Sequence, residues 1–354
     1  MFWLSAILLM LDPLPVAAEE PVRINDLVMV GTHNSYKLAM PDERMARLRE
    51  HDPQAADSLD YAHRPLTEQL DAGARQIELD VYYDPHGDHF AETSDDPALR
   101  RPGFKVQHIP GLDDRTSCPT LVQCLAVIKG WSDAHPGHAP ILVMMNAKDS
   151  TGDATPIVEA LPFTETAFDA LDREIRSMLP ADKLIVPDDV QGSYPTLREA
   201  VLADNWPTLD AARGRLMFAL DEGPEKVALY RGDRVSLEGR VLFVNTDEDS
   251  PAAAYLTLNH PIRQAERIRR AVEAGFIVRT RADEGTAAAR TGDTRQRDAA
   301  LASGAQYVST DYLWPDPRFG TAYRVGLPGG AAVACNPVSR PQGCGTDPLE
   351  APAR

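Results

Sequence analysis

The sequence predicts an α/β protein built as one closed barrel of eight parallel strands, the (β/α)8 arrangement of the TIM type. Three observations predict it. The chain has 354 residues, enough for a barrel of ~250 residues with long loops as one domain. Short apolar runs alternate with amphipathic stretches, the signature of parallel strands joined by right-handed helical crossovers. Ionisable residues gather at the C-terminal ends of those runs, where a barrel assembles its sites from βα loops.

The eight strand candidates are Leu27–Val30, Arg75–Val81, Phe104–Gln107, Ile141–Met145, Leu184–Val186, Leu216–Leu220, Phe276–Arg279 and Gln306–Ser309. Helical periodicity lies between them at Leu66–Ala72, Leu121–Ala134, Thr166–Met178, Leu197–Leu202, Ile262–Ala274 and Thr294–Ser303. Two segments exceed a bare barrel. Lys37 to His63 is a long polar insertion after the first strand, helical around Glu43–Glu50, and Arg240 to His260 adds the extra strands Val241–Val244 and Tyr255–Leu258. After Asp311 the chain turns rich in Pro and Gly and reads as an ordered but irregular tail.

Met1 to Ala18 reads as a secretory signal. Phe2–Leu11 is apolar but too short to span a bilayer, and small residues precede Glu19-Glu20. A buried N-terminal helix or an uncleaved anchor is the alternative. The expected mature protein is therefore a secreted or periplasmic monomer, residues 19–354 forming one domain. Four cysteines fall in two close pairs, Cys118 with Cys124 and Cys335 with Cys344. In an exported chain these read as two short disulfides; a zinc site is the alternative, though neither pair has the CxxC spacing. Hydrophobic content of 43% and charged content of 25% are those of an ordinary soluble protein. The formal net charge of −17 excludes a nucleic-acid binder, since no basic stripe can displace phosphate counterions. It also disfavours simple adsorption to anionic membranes.

Chemistry concentrates in three clusters. In Gly31-Thr32-His33-Asn34-Ser35-Tyr36, the imidazole exchanges protons near neutral pH and the Asn34 amide oxygen suits a hard cation; a capped turn with a hydrogen-bonded histidine is the plain alternative. In Gln76-Ile77-Glu78-Leu79-Asp80-Val81, Glu78 and Asp80 alternate onto one face of a strand. Two carboxylates there repel unless a cation or protons intervene. All-oxygen ligands select Ca²⁺, Mg²⁺ or Mn²⁺ over zinc; the alternative is an ion pair with Arg75 or Arg281. The third cluster is Gln107-His108-Ile109-Pro110-Gly111. A second histidine paired with His33 supplies both a general base and a general acid around a metal-bound phosphodiester.

These segments, with Gln69–Val81, Cys124–Met145, Val278–Asp283 (VRTRAD), Arg295–Asp298 and Ser303–Tyr312 (SGAQYVSTDY), resemble the bacterial calcium-dependent phosphoinositide phospholipase C family of PLC-like phosphodiesterase barrels. The likeness runs from Leu27 to Trp314. It implies that His33 and His108 are the catalytic histidines and that Asn34, Glu78 and Asp80 ligate Ca²⁺, with Mg²⁺ as the substitute. A fourth ligand position, acidic in related phospholipases, is Asn146 here. Lys148, Arg279 and Arg281 are implied phosphate or headgroup contacts, with surface ion pairs as the alternative. Asp311 is implied to face a histidine or a substrate hydroxyl, or to pair with Arg281. The implied substrate is a phosphatidylinositol-type phospholipid met in transient contact with a membrane. Its inositol 2-hydroxyl attacks phosphorus while one histidine acts as base and the other as acid. A glycerophosphodiesterase on the same barrel, and a phosphoinositide-binding module without turnover, are the competing readings.

Overall fold

The computed structural model describes residues 20–91, 96–150, 158–345 and 348–350; the expected signal segment lies outside them. In chain order the strands are β1 (Leu27–Thr32), β2 (Gln76–Tyr82), β3 (Lys105–Val106), β4 (Ile141–Ala147), β5 (Leu184–Ile185), β6 (Leu216–Leu220), β7 (Leu242–Val244), β8 (Tyr255–Thr257), β9 (Ile277–Arg281), β10 (Tyr307–Thr310) and β11 (Val333–Cys335). The first five helices are α1 (Asp42–His51), α2 (Pro53–Leu59), α3 (Leu66–Asp71), α4 (Leu121–Ala134) and α5 (Glu165–Met178). They are followed by α6 (Pro187–Gln191), α7 (Leu197–Leu202), α8 (Leu209–Ala212), α9 (Pro224–Arg231), α10 (Ala265–Glu273), α11 (Ala287–Thr291) and α12 (Arg295–Ala302).

The strands form a curled, mostly parallel sheet in the order β5-β6-β4-β2-β1-β10-β9-β8, with β7 also paired parallel to β6. Their residues are buried on both faces, as helix-covered parallel strands require. The helices turn apolar stripes onto the sheet, as Phe168, Leu171 and Ile175 of α5 do. Threonines cap several of them: Thr120 accepts from Gln123 N at α4, and Thr164 from Ala167 N at α5. Among the described residues no helix is long and apolar enough to cross a membrane.

Seven of the eight expected strands run parallel in the sheet, and one does not. Phe104–Gln107 reduces to β3, which runs antiparallel to β2 through Val81↔Val106 and Tyr82↔Lys105. Leu184–Val186 reduces to β5, held only against the start of β6. The supposed extra strands, Val241–Val244 and Tyr255–Leu258, instead join the parallel sheet as β7 and β8. All four are two or three residues long, and what separates them is pairing with distant strands, which no local pattern encodes. The irregular tail also contributes a strand, β11, antiparallel to β1.

β1 and β2 meet at one register pair, Gly31↔Gln76. A Cβ at Gly31 would stand 2.3 Å from the Gln76 Cβ, so only glycine permits the approach. Both cysteine pairs are disulfides, with Cα–Cα separations of 5.1 Å for Cys118–Cys124 and 5.7 Å for Cys335–Cys344.

Candidate active site

The parallel register brings scattered residues to one end of the sheet. β2 and β4 align Glu78 with Met144 and Asp80 with Asn146, so Asn146 stands beside the two carboxylates. β1 and β10 align Thr32 with Thr310, which sets His33 and Asp311 side by side. The turn after β1 is locked onto β2: Ser35 N donates to Glu78 O at 3.0 Å, and Glu78 N donates to Ser35 Oγ at 2.8 Å. Within that turn Asn34 takes φ 47°, a left-handed conformation that asparagine tolerates better than most residues.

His33 is packed among polar neighbours. Its Nδ1–H donates to Asp311 Oδ1 at 2.9 Å, with Tyr61 Oη at 3.3 Å and Arg281 Nη2 at 3.1 Å from the same nitrogen. His63 Nε2–H donates to the His33 carbonyl at 2.7 Å. The other ring nitrogen, Nε2, faces Glu78 Oε1 at 3.6 Å. Burial, then the charges of Arg281, Arg279 and His108, hold the His33 pKa well below the ordinary imidazole value. Burial thus favours the neutral ring, whose Nε2 faces Glu78.

His108 is not at the end of a parallel strand. It follows β3, whose antiparallel run returns the chain along β2, and Tyr82 Oη donates to the His108 carbonyl at 2.9 Å. Its Nδ1–H donates to Asp113 Oδ2 at 2.8 Å. A tight loop makes that contact: Ile109 and Asp113 exchange backbone hydrogen bonds of 3.1 and 2.9 Å around Pro110-Gly111, with Gly111 at φ 77°. Each histidine thus has a buried carboxylate behind Nδ1.

Glu78 and Asp80 are 3% and 1% exposed. Glu78 accepts from Arg279 Nη2 at 2.8 Å and from Asn146 Nδ2 at 3.0 Å. Burial, partly offset by Arg279 and reinforced by Asp80, pushes its pKa up to about 7. Arg279 also donates to Asn259 Oδ1 at 2.6 Å and is itself buried, so its guanidinium holds Glu78. The alternative partners are paired with other carboxylates: Arg75 with Glu350, and Arg281, close enough for its charge to act on Glu78, with Asp311 Oδ2 at 3.8 Å.

Neither Asp80 oxygen receives a hydrogen bond. Among the described residues its ion-pair partner is Lys148, whose Nζ stands 3.2 Å from Oδ2 and is the one donor group beside it, and the Asp80 charge raises the lysine pKa. A buried carboxylate short of donors is the environment a hard cation satisfies. Asn34 donates its Nδ2 to Tyr61 Oη at 2.9 Å, so its amide oxygen is the end that could meet a hard cation. These residues fit Ca²⁺. No group of three or more His, Cys, Asp or Glu side chains among the described residues is already gathered as a metal cage; half of the candidate set is amide. Beside it opens a basin of 510 Å³ lined by Asn146, Lys148, Asp221, Asn245, Thr257 and Asn259.

Sequence reasoning passed over Asp113, Asp283, Tyr61, His63 and Lys37 as functional candidates. Asp113 carried a signal, a carboxylate closing a Pro-Gly turn five residues after a histidine. Tyr61, His63 and Lys37 carried none, because they belong to the insertion rather than to a strand end.

The family model described as phosphoinositide phospholipase C, Ca²⁺-dependent, matches residues 22–337. A calcium-dependent phosphoinositol-specific phospholipase C from the Gram-negative bacterium Pseudomonas sp. has a TM-score of 0.55 at 17% identity, over 89% of this chain and 96% of that one. A Ca²⁺-dependent phosphatidylinositol-specific phospholipase C from Streptomyces antibioticus has 0.54 at 18% identity, over 82% and 95%. At such identities the structural likeness is one of fold. No curated protein matches the chain.

Proposed function

The chain belongs to the Ca²⁺-dependent phosphoinositide phospholipase C family, and from that premise we infer that it is an exported phosphodiesterase cleaving phosphatidylinositol-type lipids with His33 as base and His108 as acid. The observation that carries this reading is the pair of imidazoles, each backed at Nδ1 by a buried carboxylate: Asp311 at 2.9 Å and Asp113 at 2.8 Å. With each carboxylate taken to hold a proton on Nδ1, the Nε2 atom of each ring is the one that exchanges a proton with substrate.

Neutral His33 takes the proton of the inositol 2-hydroxyl on Nε2 as that oxygen attacks phosphorus. Asp311 stabilises the imidazolium that forms. His108, protonated, gives its Nε2 proton to the departing glycerol oxygen, and Asp113 holds the ring in place. The P–O bond to the diacylglycerol breaks as the bond to the ring oxygen forms, giving a cyclic inositol phosphate. Asn34, Glu78 and Asp80, with Asn146 adjoining, would hold Ca²⁺, which supplies positive charge for the hydroxyl and the phosphoryl oxygens. Lys148 and Arg281 add positive charge for the anionic diester.

We infer further that the sheet closes into a TIM-type barrel, since a single parallel bridge, Asn245↔Tyr255, links the end of β7 to β8. Export is supported by the two disulfides, which persist in oxidising compartments.

The test is His108→Ala assayed on phosphatidylinositol with saturating Ca²⁺. The expected loss is ~10²-fold or more in kcat. Near-full activity would remove His108 from the reaction. Glycerophosphoinositol as a parallel substrate separates the lipase from a glycerophosphodiesterase.

A further inference from the structure

Lys37 is a fully buried lysine, and no step above uses it. Its ammonium reaches three groups. It donates to the carbonyls of Leu59 at 3.0 Å and Tyr61 at 2.7 Å, and Nζ stands 3.2 Å from Asp113 Oδ1. It also lies 4.6 Å from the centre of the Tyr61 ring. Burial alone pulls its pKa down, and Asp113 pulls it back.

Two of these contacts lead to a histidine. The other oxygen of Asp113 accepts from His108 Nδ1. Tyr61 stacks near His33, its ring centroid 6.0 Å away, and its hydroxyl lies 3.3 Å from His33 Nδ1. His63 N donates to the Lys37 carbonyl at 2.9 Å, and the His63 ring donates to the His33 carbonyl. Lys37 therefore stands where the segment leaving β1, the Tyr61–His63 segment and the His108 loop meet.

We propose that Lys37 is a positioning residue that sets both histidines at once, its charge fixing the Asp113 carboxylate behind His108 and its donors fixing the Tyr61–His63 segment behind His33. The proposal rests on the roles given to His33 and His108 above. A buried carboxylate without its cation moves or takes a proton, and either change releases the imidazole it orients. Lys37 thus joins the carboxylate behind His108 to the segment packed against His33.

Lys37→Gln keeps a donor for the two carbonyls and removes the charge. With phosphatidylinositol in mixed micelles and saturating Ca²⁺, kcat per folded molecule should fall at least about 10-fold with KM changed less than about 3-fold. Asp113→Asn should give a comparable loss. The double variant should be no worse than the poorer single one, because both act through one link. Lys37→Arg should recover part of the rate. The assignment is overturned by unchanged kcat per folded molecule, by additive losses in the double variant, or by failure of both Lys37→Gln and Lys37→Arg to fold, which would make the residue purely structural. The two readings fail separately: full activity in His108→Ala removes the mechanism, while an inactive His108→Ala beside a fully active Lys37→Gln removes only the role of Lys37.

Discussion

His33 and Asp311 are separated by 278 positions, yet His33 Nδ1 lies 2.9 Å from Asp311 Oδ1 at the ends of adjacent strands. The Asp311 side chain is wholly buried, and among the described residues its second oxygen receives no hydrogen bond, with Arg281 standing 3.8 Å away. One of its oxygens thus serves the histidine alone. The register pair Thr32↔Thr310 makes the contact a property of the sheet.

Asp311→Asn is isosteric and removes the charge that fixes the His33 tautomer. An amide nitrogen turned toward Nδ1 would push the ring proton to Nε2, where the base must be bare. The expected result is a fall in kcat of ~10²-fold or more, with KM nearly unchanged and a cooperative melt retained. Kinetics on phosphatidylinositol alongside circular dichroism check it; a wild-type rate would detach Asp311 from His33 function.

Much of this arrangement was legible in the sequence. Alternation along β2 put Glu78 and Asp80 on one face, and the apolar runs of β1, β4, β6, β9 and β10 are long enough to declare themselves. β3, which runs antiparallel, and β7 and β8, which join the parallel sheet, are two or three residues long, and their membership depends on partners many residues away. His33 was visible because a strand end presents it. His63 was not, because its contact with the His33 carbonyl depends on how the insertion folds back over the sheet. Asp283 lay in plain view within the VRTRAD string. What the string does not carry is that Thr310, Tyr323 and the Asp311 amide would all turn donors onto it.

Asn146 is the register partner of Asp80 and donates Nδ2 to Glu78 Oε1 at 3.0 Å. Without a cation, this neutral donor separates two buried acids. Asn146→Asp replaces the donor with a third carboxylate. In chelator the variant should melt several degrees below the parent, since like charges then share one buried face. In Ca²⁺ the difference should close or reverse, because a cation that binds only the folded state stabilises it. Calorimetry should give roughly 10-fold tighter Ca²⁺ binding, in keeping with a more highly charged ligand set. Equal melting in chelator together with equal affinity would mean that Asn146 does not face the cation.

Asp283 is 1% exposed and accepts from Thr310 Oγ1 at 2.5 Å, Tyr323 Oη at 3.0 Å and Asp311 N at 2.9 Å. Burial, reinforced by the Asp311 charge, pushes its pKa from 3.8 up to about 7. The folded protein therefore keeps this proton to about pH 7, whereas the unfolded chain releases it near pH 4. Between those values the unfolded state binds fewer protons, so the contribution of Asp283 to stability is full below pH 4, falls as pH rises, and levels off above 7. The span is at most about 4 kcal/mol. Asp283→Asn cannot ionise and escapes this loss. In chelator, the melting temperature of Asp283→Asn relative to the parent should rise by several degrees from pH 4.5 to pH 8. A difference that stays constant across that range would show that Asp283 releases its proton at the same pH folded as unfolded, and that burial beside Asp311 costs it nothing.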